Sequence, residues 1–267
     1  MALMDERRTV GNRQKQEREQ KTLSSRQRND ISPSALMSAK DKKAGPCRLR
    51  IGMHEVRLPA PPPPMALVAY EQSKRAADVV MASLLLTLLF PIFISVALAI
   101  YLEDQGKIFY YQTRVGRNGV HFRFYKFRSM VPNADQLKEK LAAQNEAGDN
   151  IFKMKNDPRI TRVGRFIRRA SIDELPQLIN VLRGEMSLVG PRPHLPREVA
   201  QYSGCQSERL SVQPGLLCLR EVFGRSNMTF EQWVALDLLY IKHRCILTDV
   251  MILMRAVPAI IKGEGAY

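Results

Sequence analysis

Residues 79–102 are 24 consecutive residues without a charge, and fifteen of them are Val, Leu, Ile or Phe. Central apolar residues each favour bilayer insertion by about 0.3–0.6 kcal/mol, roughly 4–9 kcal/mol for this run. Pro91 near its middle costs about 3 kcal/mol in a helix interior. Insertion wins, with a kink at Pro91. A straight helix of this length would reach about 36 Å, enough to cross a bilayer. Both flanks are basic, however: Lys74 and Arg75 precede the run, and Lys107, Arg114, Arg117, Arg123, Lys126 and Arg128 follow it. The positive-inside tendency places both flanks in the cytosol. A re-entrant helix hairpin broken at Pro91 satisfies that constraint better than a span. Its freed backbone groups then need partners such as the Ser83 or Thr87 hydroxyls.

The rest of the chain is organised around this segment. Residues 1–58 are polar, poor in aromatics and without an apolar period, so disorder is the expectation, and no apolar stretch follows the early basic residues to make a signal peptide. Pro59-Ala60-Pro61-Pro62-Pro63-Pro64 reads as a stiff linker. The expected organisation is a disordered basic extension over 1–73 and a second unit over 74–267. The first holds 14 Lys/Arg against 8 Asp/Glu, the second 27 against 18. A basic folded part predicts anionic partners. Cys47, Cys205, Cys218 and Cys245 form no CxxC pair or zinc spacing and read as reduced thiols facing a cytosol.

After the apolar run, 108–113 and 120–127 are β-rich, with Asn118-Gly119 as the turn between them. Val120, Phe122 and Phe124 alternate with polar residues, then the phase slips to Phe127, which suggests a strand end or bulge and places Lys126 and Arg128 together on a rim. Residues 135–147 read as an exposed amphipathic helix and 148–156 as loop. Residues 171–183 form the clearest soluble helix, with Leu175, Leu178, Ile179 and Leu182 on one face and Gly184 as the stop. Helices over 230–243 and 249–262 complete the chain. The expected fold class is α-rich α+β: a re-entrant membrane helix hairpin plus a small cytosolic helical domain with a short β-hairpin and interfacial amphipathic helices.

Arg165, Arg168, Arg169, Ser171, Asp173 and Glu174 gather at a helix entrance. One reading is structural: Ser171 with Glu174 three residues on fits a capping box, acidic residues suit a helix N-terminus, and the arginines pair with them. The other is catalytic. Successive helical residues point about 100° apart, so the two carboxylates cannot share one task. One could attack phosphorus while the other holds a divalent cation, which takes carboxylate oxygen together with substrate phosphates. Helix amides and arginines favour both an ionised carboxylate and a diphosphate, and an aspartyl phosphate is established covalent chemistry. Gly190-Pro191-Arg192-Pro193 fixes an arginine between prolines, which lowers the entropy lost in gripping phosphate; in isolation it is equally a proline-rich turn. Asp237 lies on a nearly all-apolar helix and must be paired or functional, with pairing to an arginine favoured. His121, His194 and His243 form no recognisable spacing and receive no role.

Taken together, these residues resemble the bacterial sugar transferase family, the small monotopic polyprenyl-phosphate phosphoglycosyl transferases. The resemblance runs over about 74–267. It is carried by Lys74-Arg75-Ala76-Ala77-Asp78, Tyr125-Lys126-Phe127-Arg128-Ser129-Met130, Asn156-Asp157-Pro158-Arg159-Ile160-Thr161, Ser171-Ile172-Asp173-Glu174-Leu175-Pro176-Gln177-Leu178, Asn180-Val181-Leu182-Arg183-Gly184 and Met186-Ser187-Leu188-Val189-Gly190-Pro191-Arg192-Pro193, with Gly265-Ala266-Tyr267 at the end. It implies that Asp173 is the nucleophile, taking sugar-1-phosphate from a UDP-sugar and releasing UMP. Glu174 then helps bind Mg2+, and polyprenyl (undecaprenyl) phosphate attacks the phosphoaspartyl intermediate, the first step of exopolysaccharide or glycan assembly. It also implies substrate-binding roles for Lys126, Arg128, Arg168, Pro191, Arg192, Pro193 and Arg225, a break at Pro91, and a bacterial inner-membrane location with the catalytic part facing the cytosol. Self-association is left open. Some members carry four further transmembrane helices upstream; this chain looks like the short form with a disordered extension.

Two departures stand out. The family often shows an aromatic residue and Gln after its Pro-Gly, where this chain has Arg220 and Glu221, which puts the donor preference in question. Phe90 precedes Pro91 where some members have Ser, so Pro91 carries more of the break. The competing readings are a non-catalytic membrane-surface protein that binds anionic lipid and a nucleic-acid-binding protein. The apolar run and the lack of a recognised motif argue against the latter.

Overall fold

The two helices of the apolar segment meet at a bend, and the bend falls before the proline. The computed structural model describes residues 47–51, 54–134, 136–137, 154, 157–223 and 229–262. Helix α1 (Pro64–Leu88) and helix α2 (Phe90–Asp104) are bent by 59° about Leu89. Pro91 lies in the first turn of α2, where its missing N–H is no loss. Its ring clashes with the carbonyl four residues back, so the break appears at Leu89 instead of at Pro91 itself. The Thr87 hydroxyl donates to Ser83 O, one turn back. Neither helix alone is long and apolar enough to cross a membrane; the bent pair together is. Val80, Leu84, Leu88, Phe90, Ile94 and Leu98 on it are exposed.

Both ends of the bent pair are fastened to the rest of the fold, each to different elements. The described fold reaches upstream of Lys74: β1 (Cys47–Ile51) pairs antiparallel with β2 (His54–Leu58), and α1 starts at Pro64, with proline at its N-terminus where helices accept it. Tyr70 OH donates to Asp249 Oδ2 at 2.8 Å and Lys74 Nζ to the same oxygen at 2.6 Å. Arg75 donates to Val181 O and Leu182 O, and Asp78 accepts from Leu188 N. At the far end, Glu103 accepts from Arg162 N and Val163 N, and Arg128 pairs with Asp104. Several flanking cations of the sequence argument are therefore taken up by internal partners.

β3 (Phe109–Val115) and β4 (His121–Phe127) form an antiparallel hairpin closed by a turn at Arg117–Gly119, with Asn118 at φ 55° and Gly119 at φ 80°. The register runs unbroken from Val115–His121 to Phe109–Phe127, so no bulge forms and the slip marks the strand end, β4 stopping at Phe127. At that end β4 is covered on both faces. Phe122 and Phe124 point one way, Phe124 lying under Arg114 and Lys126. Phe127 points the other way, into a cluster with Val96, Ile100 and Ile167, stacked on Phe109 and with the Phe93 ring tilted against it.

The expected helix over 171–183 is split. Helix α3 (Arg162–Arg169) is capped by the Thr161 hydroxyl, and the preceding loop is closed by the buried pair Asp157–Arg159. Ser171 then turns left-handed at φ 55° with no side-chain cap, so the capping box does not form. Ile172–Glu174 is a 3-10 turn, and Pro176 restarts the chain as helix α4 (Gln177–Arg183), ended by Gly184 at φ 78°. The buried face of α4 is Gln177, Leu178, Asn180 and Val181; of the expected stripe only Leu178 is fully buried, while Leu175, Ile179 and Leu182 are half-buried. Asn180 is buried because it is satisfied: it accepts from Tyr125 N and donates to Arg123 O and Glu185, clamping α4 to β4.

β5 (Ser187–Val189) and β6 (Gly215–Leu217) pair in parallel, completing three two-stranded sheets among the described residues. Gly190 and Gly215 are in such close contact that a Cβ on Gly215 would lie 2.0 Å from Gly190 N. Short helices α5 (Pro196–Val199) and α6 (Leu219–Phe223), a 3-10 stretch over Gly204–Ser211, and helices α7 (Phe230–His243) and α8 (Ile246–Lys262) follow. The elements expected over 135–147 and 148–156 fall almost wholly outside the described residues, as do Asn156, Arg225 and Gly265-Ala266-Tyr267. Cys205, Cys218 and Cys245 are free thiols. The fold is helix-rich with a small β content.

Candidate functional site

Asp173 and Glu174 stand on the 3-10 turn between α3 and α4, where successive residues point about 120° apart, so the two carboxylates still diverge. Their neighbour Ile172 packs against the cluster of Val96, Ile100, Phe127 and Ile167. That cluster, to which α2 contributes Val96 and Ile100, links the turn to the apolar segment. Asp173 is 8% exposed, and the charged groups meet above it. Lys126 Nζ, from β4, donates to Glu174 Oε1 at 2.5 Å and lies 3.6 Å from Asp173 Oδ2. Arg192 Nη2 donates to the same Glu174 oxygen at 3.0 Å, and its Nη1 to Glu221 Oε1 at 3.2 Å.

The two carboxylates titrate in opposite directions. Burial pushes Asp173 above the usual carboxylate range, and the charge of Glu174 adds to that, while Lys126 and Arg168 pull it down only in part. Burial also raises Glu174, but Arg192 and Lys126 outweigh it and hold the carboxyl well below its ordinary value. One acid is thus firmly ionised and paired; the other is costly to ionise, as a reactive carboxylate would be.

The loop that carries Arg192 is fixed by groups that sequence reasoning missed. Val115 N donates to His194 O, and Arg114 Nη1 to Pro193 O. His194 Nε2 accepts from Arg209 Nη2 at 2.7 Å and its Nδ1 lies 3.3 Å from Glu198 Oε2. Burial lowers the imidazole to about 4, so it is neutral at pH 7. The same Arg209 nitrogen pairs with Asp237. Asp237 is therefore a structural partner of an arginine, as favoured from its all-apolar helix. His194 was passed over because its partners are brought by Arg209 and Glu198, fifteen and four residues away, with no local pattern to announce them.

Of the residues expected at the site, the fold brings Lys126, Asp173, Glu174 and Arg192 into contact, with Pro191 and Pro193 flanking the last, and Arg168 acting on Asp173 through its charge. Arg128 is not with them: it pairs with Asp104 at the end of α2. Arg225 lies outside the described residues. Glu221, noted in the sequence only as a departure, is in contact with Arg192.

The fold thus gathers a buried aspartate, an ionised glutamate and two cations from a 3-10 turn, β4 and the Arg192 loop. The family described as bacterial sugar transferase matches residues 69–263. This chain belongs to that family. Over 165 residues it is 47% identical to the galactosyl transferase CpsE of Streptococcus agalactiae, covering 61% of this chain and 37% of CpsE. It is 38% identical over 199 residues to the exopolysaccharide production protein ExoY of Sinorhizobium fredii, covering 73% of this chain and 88% of ExoY. It is 41% identical over 212 residues to the UDP-glucose:undecaprenyl-phosphate glucose-1-phosphate transferase of Caulobacter vibrioides, covering 76% and 75%. The chain thus spans little more than a third of CpsE but most of the other two.

Proposed function

We propose that this chain transfers sugar-1-phosphate from a UDP-sugar to polyprenyl (undecaprenyl) phosphate, giving polyprenyl-diphosphate-sugar and UMP. The observation that carries the reading is the contact of Lys126 and Arg192 with Glu174 beside buried Asp173. In the first half, an Asp173 oxygen attacks the phosphorus that bears the sugar. The bond from that phosphorus to the UMP oxygen breaks, and UMP leaves with the electron pair. In the second half, a phosphate oxygen of the lipid attacks the same phosphorus and Asp173 leaves as a carboxylate. Lys126 and Arg192 neutralise the phosphate oxygens in both halves. The packing of Ile172 against the cluster that includes Val96 and Ile100 of α2 supports access from the bilayer for the lipid substrate.

The donor set fits a divalent cation of the Mg2+ type. Asp173 and Glu174 supply hard oxygens, and such an ion is commonly held by one or two carboxylates plus substrate phosphates, so it needs no larger cluster of acids; none of three or more His, Cys, Asp or Glu occurs among the described residues. Glu174 would hold the ion, which would supply charge neutralisation at the diphosphate. With purified protein, polyprenyl phosphate and a panel of labelled UDP-sugars, we expect lipid-soluble label only when Mg2+ is present, loss in EDTA and recovery on adding Mg2+ back. Full turnover in chelator would remove the metal from this reading, and no lipid-soluble label with any donor would remove the transfer itself.

The same reading places 79–102 in the cytoplasmic membrane as a re-entrant hairpin with the site on the cytosolic side. Its support is that Lys74 and Arg75 at the entry, and Glu103 and Asp104 at the exit, are fastened to elements of one compact unit. Cysteines placed at Arg75 and Lys107, in a background without the native thiols, should label from the cytosolic side at both positions. Pro91→Leu restores the helix hydrogen bond and should move a fraction of molecules toward a span. Labelling of the two flanks from opposite sides in the unaltered segment would rule out the hairpin.

A further inference from the structure

Arg192 is held from two sides. Glu174 accepts from one end of its guanidinium and Glu221, on α6, accepts from the other. Glu221 is anchored in turn, since its second oxygen accepts from Cys218 N at 3.4 Å. Its side chain is 11% exposed against 26% for Arg192, so Glu221 is the fixed partner and the arginine is the group being aimed. Pro191 and Pro193 stiffen the backbone on either side, but they do nothing for the long side chain, whose rotamer freedom is lost only through its partners.

Glu221 also alters the charge balance. Lys126 and Arg192 face three carboxylates, Asp173, Glu174 and Glu221, and Arg192 divides its charge between the two glutamates. Arg114 and Arg168 act on this group through their charge. A diphosphate approaching Arg192 must share the guanidinium with both glutamates. Replacing Glu221 by its neutral isostere would free that charge for the incoming phosphate without changing the side-chain volume.

We infer that Glu221 is a positioning residue that aims Arg192 at Glu174 and makes binding of the nucleotide diphosphate depend on a divalent cation. This rests on reading the site as a nucleotide-sugar site. The test uses UDP as the probe and full-length protein in nanodiscs, with affinity measured by calorimetry in EDTA and in saturating Mg2+. E221Q should bind UDP ~10-fold more tightly than wild type in EDTA and within about threefold of it in Mg2+. E221D keeps the charge but is too short to hold Arg192 and Cys218 N together. It should retain the wild-type demand for Mg2+, bind UDP several-fold more weakly in Mg2+, and so give an independent reading if E221Q does not fold. A side chain that merely supports the fold would lower affinity equally in both conditions, and that outcome overturns the inference. So does an unchanged ratio of the two affinities in E221Q, or wild-type binding in E221D. Wild-type protein that binds no UDP even in Mg2+ overturns both this inference and the nucleotide-sugar reading. Normal wild-type binding with unresponsive variants overturns this inference alone.

Discussion

Asp173→Asn is expected to lower turnover by at least about a thousandfold while leaving the protein as stable as before or more so. The loss follows from chemistry, since a neutral amide is a poor nucleophile and cannot carry the phosphosugar. The stability follows from burial, which raises the folded-state carboxyl above its ordinary value. A group shifted that way favours the folded state below its unfolded pKa and loses that contribution as pH rises through the folded value. At neutral pH the ionised Asp173 is therefore a burden on the fold that the amide removes. With wild type, acid quench after mixing with labelled donor alone should release UMP in amounts stoichiometric with enzyme and trap a phosphosugar adduct on the Asp173 peptide. The single-turnover rate should fall on the acid side with a midpoint above the ~3.9 of an unperturbed aspartate. The variant should give neither UMP nor adduct, and its thermal midpoint should equal or exceed that of wild type. Substantial turnover by Asp173→Asn, or UMP that appears only when lipid is present and without a trapped adduct, would leave Asp173 a steering role and no covalent one.

Asp237→Ala is expected to be strongly destabilising. Burial pushes the Asp237 carboxyl up and Arg209 pulls it back, the two forming a pair with side chains 6% and 3% exposed. Removing one partner of such a pair leaves a buried charge uncompensated, at about 3–5 kcal/mol. For a chain of this size that lowers the melting temperature by roughly 6–20 °C. The effect should reach the site, because Arg209 also holds His194, two residues from Arg192. Replacing both partners, as Arg209→Met with Asp237→Leu, should recover much of the stability but not the placement of the Arg192 loop. Thermal unfolding in nanodiscs, read beside UDP affinity, separates the two effects. An Asp237→Ala protein that melts with wild type would show that the pair contributes little.

How much was legible in the chain depended on whether the deciding partners were near in sequence. The apolar run, the Asn118-Gly119 turn and the stop at Gly184 are local, set by hydropathy and by backbone conformations that few residues adopt, and they stand in the structure where the sequence put them. The Asp173–Glu174 pair and Arg192 were legible as motifs, because both sit in short, stereotyped stretches. Other features were settled only by tertiary contact. The phase slip in β4 left a strand end or a bulge open; only the structure shows the strand end, with Phe127 covered by the cluster that includes α2 and Phe124 from the opposite side. The capping box at Ser171 failed because Pro176 restarts the helix later, leaving the two acids on a tighter turn. Arg128 looked like a companion of Lys126, yet only the position of Asp104 at the end of α2 decided that it belongs elsewhere. His194, Arg209 and Glu221 carry no signal of their own, since a polar side chain gains a function from whatever distant group the fold sets within hydrogen-bond reach, and that distance is not written in the spacing of the chain.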